Sequence, residues 1–238
     1  MNTRPIGIIG AMDMEIEALA GAMEETGTET MAGLVFHQGT IEGVPCVVAR
    51  CGAGKVNAAV CAEAMVLRYQ PRLVINVGVA GGVGVEIGGL VVADACVQYD
   101  FDTTAIDPTP LGTILLAQPD GSDQEVRFFP CDARAADILA QEAEQIYGGV
   151  VRGRVATGDA FVADKAKSLW LGEEFSARAV EMEGGSIAQV CAMNHIPCAV
   201  LRAISDNAND DATVDFPAFA RASSQRSAEL LRRALKRL

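Results

Sequence analysis

Four apolar runs in this chain stop abruptly at glycine or at an acid, and that ending limits the fold more than any other feature. PIGIIGAM (5–12), RLVINVGVAGG (72–82), GGLVVADACVQYD (88–100) and CAVLRAIS (198–205) are short and nearly continuous in apolar residues. Such runs read as strands buried on both faces, which belong to parallel or mixed sheets covered by helices. The stretches between them carry helical periodicity. In DMEIEALAGAMEE, Ile16, Leu19, Ala20 and Met23 fall on one face, and CGAGKVNAAVCAEAMVLRYQ opens on glycines and continues as a helix. In sheets of this kind ligands collect beyond the carboxyl ends of the strands. GAMDME, CGAGK, GVAGG, YDFDTTAID, TGDAFV and SDNAN are the six polar or glycine-rich strand ends, and they point to one cleft.

Composition narrows the ligand. With 238 residues, half of them hydrophobic and 5% aromatic, the chain has material for one large α/β domain, 1–238, built on Val, Ile, Leu and Ala. Nineteen basic against 31 acidic residues give a net charge of −12, which repels nucleic-acid phosphates and anionic membrane surfaces. A small neutral or cationic ligand is the more natural partner. No stretch approaches the roughly 20 apolar residues that cross a bilayer, and the start has no export pattern, so the expected location is the cytoplasm. Seven cysteines without a CxxC pair and two distant histidines, His37 and His195, argue for reduced core thiols and against a metal site.

GLVFHQGTIEGVPCVVAR reads as two strands around a glycine turn, and a further strand is expected near Glu125–Phe129, followed by an amphipathic helix from about Asp132. A long closing helix is expected from Asp215, with Phe216, Phe219, Leu230 and Ala234 on its apolar stripe. GAGK lacks the full phosphate-loop spacing, and Val56 stands where a metal-binding hydroxyl would follow the lysine. Three acids open the first helix. Asp13 and Glu17 serve the helix dipole, whereas Glu15, one turn before Leu19, lies on the protein side. Between Arg178 and Asn209, Glu181, Glu183 and Asp206 sit in apolar surroundings with Arg202. Two readings fit them: a structural Arg–Glu pair with a capping Asp, or a polar cleft at the sheet edge. Phe161, beside a glycine and an acid, is either packing or a stacking platform.

Taken in order, IGIIGAMDMEIEAL, CGAGKVNAA, INVGVAGG, YDFDTTA, TGDAFV, AVEMEGGSIA and LRAISDNAN make the chain resemble the methylthioadenosine/S-adenosylhomocysteine nucleosidases of the nucleoside phosphorylase superfamily over nearly its whole length. The resemblance implies a three-layer α/β/α sandwich on a central mixed sheet, a homodimer, no cofactor, and hydrolysis of the N-glycosidic bond of 5′-thio-substituted adenosines. It implies Glu15 as the base that activates water, and Asp206, oriented by Ser205, as the donor to purine N7. Glu183 and the Met182 backbone would bind the ribose, Phe161 and the Val162 backbone the purine, and Ala80 and Gly81 would let backbone approach the nucleoside. Met12, Phe216 and, from a partner subunit, Ile106 would cover the 5′ substituent. The chemistry needs such a pair, because cleavage passes through an oxocarbenium-like state in which one acid assists the leaving group and another holds water on the far side of the sugar. Arg202 is expected to partner a buried carboxylate, and Glu181 acquires no catalytic task. Val79, Ala53, Ile106 and Pro108 depart from the residues common in the family, and this bears on the 5′ substituent alone.

Two other functions compete. A phosphorolytic relative needs cations to hold phosphate at the end of the first strand, where this chain offers Asp13, Glu15 and Glu17. A non-catalytic nucleoside-binding protein needs no base and acid on opposite sides of C1′.

Overall fold

The computed structural model describes residues 4–206 and 216–238, the side chains of 216–218 and 220 excepted. Asp215, the Asn207–Asn209 end of the SDNAN element and the Phe216 side chain therefore lie outside the described residues.

The chain runs β1 (Ile6–Gly10), α1 (Asp13–Gly21), β2 (Glu24–Met31), β3 (Leu34–Ile41), β4 (Val44–Arg50), α2 (Lys55–Tyr69), β5 (Leu73–Gly82) and β6 (Leu90–Gln98). It continues through β7 (Ile114–Ala117), β8 (Asp123–Val126), β9 (Phe129–Pro130), α3 (Ala133–Tyr147), β10 (Val151–Thr157) and α4 (Lys165–Phe175). The last elements are β11 (Ala177–Glu181), α5 (Gly184–Met193), β12 (Cys198–Asp206) and α6 (Phe216–Ala234). The central sheet has the order β11-β10-β6-β12-β5-β1-β4-β3-β2, with β9 on the side of β6. It is mixed. β5 lies parallel to both β1 and β12, while β6 is antiparallel to β12 and parallel to β10.

Two apolar layers follow from the period-two alternation of strand side chains. On one face, Ile9, Val47 and Val74 pack with Ala58, Cys61 and Met65 of α2 and Ile187 and Cys191 of α5. On the other, Ile8, Val48 and Ile75 meet Ile16 and Leu19 of α1, Leu139 of α3 and Leu230 and Leu231 of α6. The molecule is thus the three-layer arrangement that the strand and helix runs imply.

One closure positions the site. Beyond its parallel pairing with β10, β11 also pairs antiparallel with the end of β5, Ala179 opposite Gly82 and Val180 opposite Gly81. The sheet curls back on itself, so the residues following β11 arrive beside the carboxyl ends of β5 and β12. Gly81 permits this approach, since a Cβ on it would stand 3.2 Å from Val180 Cγ1.

The structure differs from the sequence reading at α1, which ends at Gly21 rather than reaching Glu25, because residues 24–31 form β2. EETGTETM has no apolar alternation, and the strand is held as an exposed edge by two tight hairpins. Ala32 and Gly33, then Glu42 and Gly43, all adopt positive φ, the signature of the turn whose twist matches paired strands. All seven cysteines are free thiols and six are buried. Truncating Ile8, which is fully buried at the centre of one layer, is expected to cost about 2–5 kcal/mol. Urea unfolding of Ile8→Ala checks this, and an unchanged midpoint would contradict the placement of the core.

Candidate active site

A cleft of about 140 Å³ opens at the carboxyl ends of the strands, lined by Ala11, Met12, Glu15, Ala53, Val79, Ala80, Gly81, Phe161, Val180, Glu181, Met182, Glu183, Ser205 and Asp206. A larger groove of about 590 Å³ lies at the opposite strand ends, by Arg72, Asp132 and Arg134, and gathers no comparable set of buried acids.

Glu15 is the third residue of α1. From that position a side chain can reach back over the helix start, as glutamate does in a capping box. Its Oε2 accepts from the N–H groups of Ala11 at 2.7 Å and Met12 at 3.0 Å, and its Oε1 accepts from Val79 N–H at 3.0 Å. The first strand's end, the first helix and the end of β5 thus fix one carboxylate, which is 5% exposed. Glycine is required around it, because a Cβ on Gly78 would lie 2.7 Å from Glu15 Oε1 and one on Gly10 3.2 Å from its Cβ.

Asp206 reaches the cleft through a register shift in β12. Ile204 pairs with Ala80 but Asp206 with Gly81, so Ser205 is an extra residue that turns the strand end. The Ser205 hydroxyl lies 2.9 Å from Asp206 Oδ2 and 3.3 Å from the Ala80 carbonyl. A Cβ on Gly81 would come within 3.1 Å of Asp206 Oδ1, so only glycine leaves that carboxyl room.

The β11–α5 junction supplies the remaining acids, in different roles. Glu181 turns inward. One oxygen accepts from the N–H groups of Glu183 at 2.9 Å and Gly184 at 2.7 Å and from Arg202, and the other accepts from Thr157 Oγ1. It caps the start of α5, where the helix dipole favours an anion. Glu183 faces the cleft, held at 2.9 Å by the Gly54 N–H, with its second oxygen 4.0 Å from Arg202. Burial, and then the charge of Glu181, push the Glu183 carboxyl up to about 7, although Arg202 and Gly54 N–H oppose the rise. Arg202, 1% exposed, also donates to Asn76 Oδ1 and to the Leu201 carbonyl at 3.1 Å.

Met12, Glu15, Ala80, Gly81, Phe161, Met182, Glu183, Ser205 and Asp206 are therefore together in one cleft. Val162 does not line it; its side chain packs with Tyr99, Leu171 and Val180. Ile106 is 87% exposed and outside the cleft of this chain. Ala53, Val79 and Glu181 also line it, as do Val180 and Ala11, which the sequence reading did not single out; nothing but their place beside Gly81 and Met12 signals them. Lys55 of the GAGK element forms an ion pair with Asp100 at 2.6 Å, and its N–H binds Asp159. Among the described residues no three His, Cys, Asp or Glu side chains are gathered as metal ligands, and no helix is long and apolar enough to cross a membrane.

A curled mixed sheet with buried acids at its strand ends has known counterparts. Residues 5–236 match the family model described as the phosphorylase superfamily. A 5′-methylthioadenosine/S-adenosylhomocysteine nucleosidase of Shewanella halifaxensis is 36% identical over 98% of this chain and 99% of its own length. An Asp→Asn mutant of the Helicobacter pylori 5′-methylthioadenosine nucleosidase, with 5′-methylthioadenosine in its active site, superimposes with a TM-score of 0.89 at 34% identity, over 99% of each chain. A futalosine hydrolase of Helicobacter pylori gives 0.87 at 35% identity, again over 99% of each chain. The chain belongs to the phosphorylase superfamily and, within it, to the 5′-methylthioadenosine/S-adenosylhomocysteine nucleosidase family.

Two outcomes follow from the buried charges. Arg202→Ala strands Glu181 and Glu183 without their cation and is expected to cost about 3–5 kcal/mol in denaturant unfolding; a loss below 1 kcal/mol would mean that the pair is dispensable. The Glu183 carboxyl is raised from 4.5 to about 7, so the folded state binds the extra proton and its stabilisation is full below the unfolded value. That stabilisation is lost as pH rises through the folded value. Relative to Glu183→Gln, the native protein should lose on the order of 2 kcal/mol between pH 4.5 and 7. Parallel stability curves for the two proteins would contradict this.

Proposed function

We propose that this chain hydrolyses the N-glycosidic bond of 5′-methylthioadenosine, S-adenosylhomocysteine and related 5′-substituted adenosines, releasing adenine and the thioribose product. The observation that carries the reading is the position of Glu15. A buried carboxylate tied to three backbone N–H groups shares one cleft with a second carboxyl, Asp206, delivered from a different strand.

Glu15 takes a proton from water as the oxygen attacks C1′. Asp206, oriented by Ser205, gives a proton to N7, so adenine departs neutral. Glu183 accepts hydrogen bonds from the ribose hydroxyls beside the Met182 backbone. The positive charge that grows on the sugar ring is met by fixed carboxylates in a partly dry cleft, where such charges act strongly. Phe161, 66% exposed on the rim, offers a face on which the purine stacks. The Val162 backbone reads the purine edge, and Ala80 and Gly81 allow the nucleoside close to β5. Met12, Phe216 and Ile106 of the partner subunit cover the 5′ group. The 87% exposure of Ile106 is in keeping with burial across a two-fold homodimer interface. Residues 1–238 act as one catalytic unit in the cytoplasm, where the seven thiols stay reduced.

Phosphorolysis fits poorly. Arg50 is paired with Asp13 at 3.2 Å, Lys55 with Asp100 and Arg202 with Glu181, and Glu15 would repel phosphate at the position of attack. Purified protein given 5′-methylthioadenosine is expected to release adenine equally with and without phosphate and to make no ribose 1-phosphate. Phosphate-dependent release would overturn the hydrolytic reading. Asp206→Asn keeps the fold and loses roughly 10²–10⁴-fold in kcat, the range for a missing general acid; a near-native rate would remove Asp206 from its role.

A further inference from the structure

Behind Glu15 lies a second, smaller cavity. Its walls are Glu15, Val77, Gly78, Val79 and three serines of α6, Ser223, Ser224 and Ser227, and about 10 Å³ of it is open to the centre of a water. That is room for one molecule, and a buried water needs two to four polar partners. The walls provide them. Ser224 is 6% exposed, and among the described residues its Oγ has no hydrogen-bond partner. Glu15 Oε1 accepts one backbone N–H where Oε2 accepts two, so a lone pair of Oε1 is unused. Gly78 lines the same cavity beside them.

Ser224 has a second position. It also lines a surface groove of about 330 Å³ formed with Met14, Glu17, Ala18, Arg221 and Gln225. The groove and the small cavity therefore share Ser224, and the small cavity and the cleft share Glu15.

We propose that the rear cavity is a one-water site through which Glu15 exchanges its proton with solvent while nucleoside or products fill the cleft. The inference rests on the reading of Glu15 as the general base. After attack Glu15 is a neutral acid and Asp206 has lost its proton to adenine, so the base must be cleared before the next turnover. The O–H bond of Glu15 breaks, its electron pair stays on the carboxylate, and the proton passes to the cavity water. That water donates to a lone pair of the Ser224 hydroxyl, which releases its own hydrogen to water in the groove. The net change is a carboxylate and one hydronium in solvent, matched by the proton that Asp206 takes back from solvent through the cleft as adenine leaves.

Two variants and one structure test this. Ser224→Val fills the cavity and removes the relay hydroxyl, and Ser224→Ala removes the hydroxyl alone. In rapid mixing with 5′-methylthioadenosine, Ser224→Val should release its first equivalent of adenine at the native rate and then turn over about tenfold more slowly, with Ser224→Ala between, as expected when proton transfer is lost only from the reset. A defect of packing alone would lower the first turnover and the steady state together. That result, or an unchanged steady state, overturns the proposal. A high-resolution crystal structure of the native protein with adenine should show a water within about 3 Å of both Ser224 Oγ and Glu15, and its absence also overturns the site. If the native protein releases adenine from no nucleoside, the hydrolytic reading fails, and the crystallographic water alone decides whether the site exists.

Discussion

One guanidinium organises the catalytic end of this molecule. Arg202 lies almost wholly out of solvent and faces Glu181 directly, Glu183 at 4.0 Å, and the field of Glu15. A lone buried cation would be prohibitively costly, and so would three carboxylates without one. Each group is tolerable only because the others are present. The arrangement fixes which acid does what. Glu181 is held by four hydrogen bonds, from Arg202, Thr157 and two backbone N–H groups, whereas Glu183, held by one N–H, keeps more capacity toward the cleft.

That arrangement depends in turn on sheet topology. β11 is the only strand that pairs at one edge with β10 and also returns to β5, among the described residues. Its return brings the Glu181–Glu183 segment, from late in the chain, against the end of a strand from the middle, beside a helix from the start. Glycines at 78, 81, 184 and 185 mark where these parts touch. A Cβ on Gly185 would stand 2.9 Å from Thr157, and one on Gly184 3.3 Å from the Glu181 oxygens. Gly78, Gly81 and Gly184 thus serve close approach to carboxylates, and Gly185 close approach to Thr157.

The strand ends and their acids were legible because buried parallel strands are apolar almost without break, so an acid at their termini stands out. Glu15 was legible from its place in the helical period, and the Arg–Glu pairing from the mere presence of Arg202 in a buried strand. β2 was not, because an edge strand with no fully buried residue carries little hydrophobic alternation. The partner of Arg202 could not be chosen between Glu181 and Glu183, since they stand two positions apart, on one face of an extended chain, and only the turn into α5 sends their side chains apart. The buried serines of α6 were hidden for a related reason: Ser223, Ser224 and Ser227 look like a solvent face until the helix is seen to turn them toward Glu15.

In the proposed function, Glu15 and Asp206 address opposite sides of one sugar carbon, with Glu183 on the hydroxyls. A crystal structure with a non-hydrolysable 5′-thio-substituted adenosine analogue measures it most directly. The account predicts Asp206 within about 3 Å of N7, Glu183 within the same distance of the ribose hydroxyls, and Glu15 facing C1′ from the side away from the purine. Glu15 and Asp206 on the same side of C1′, or a purine lodged away from Phe161, would contradict it.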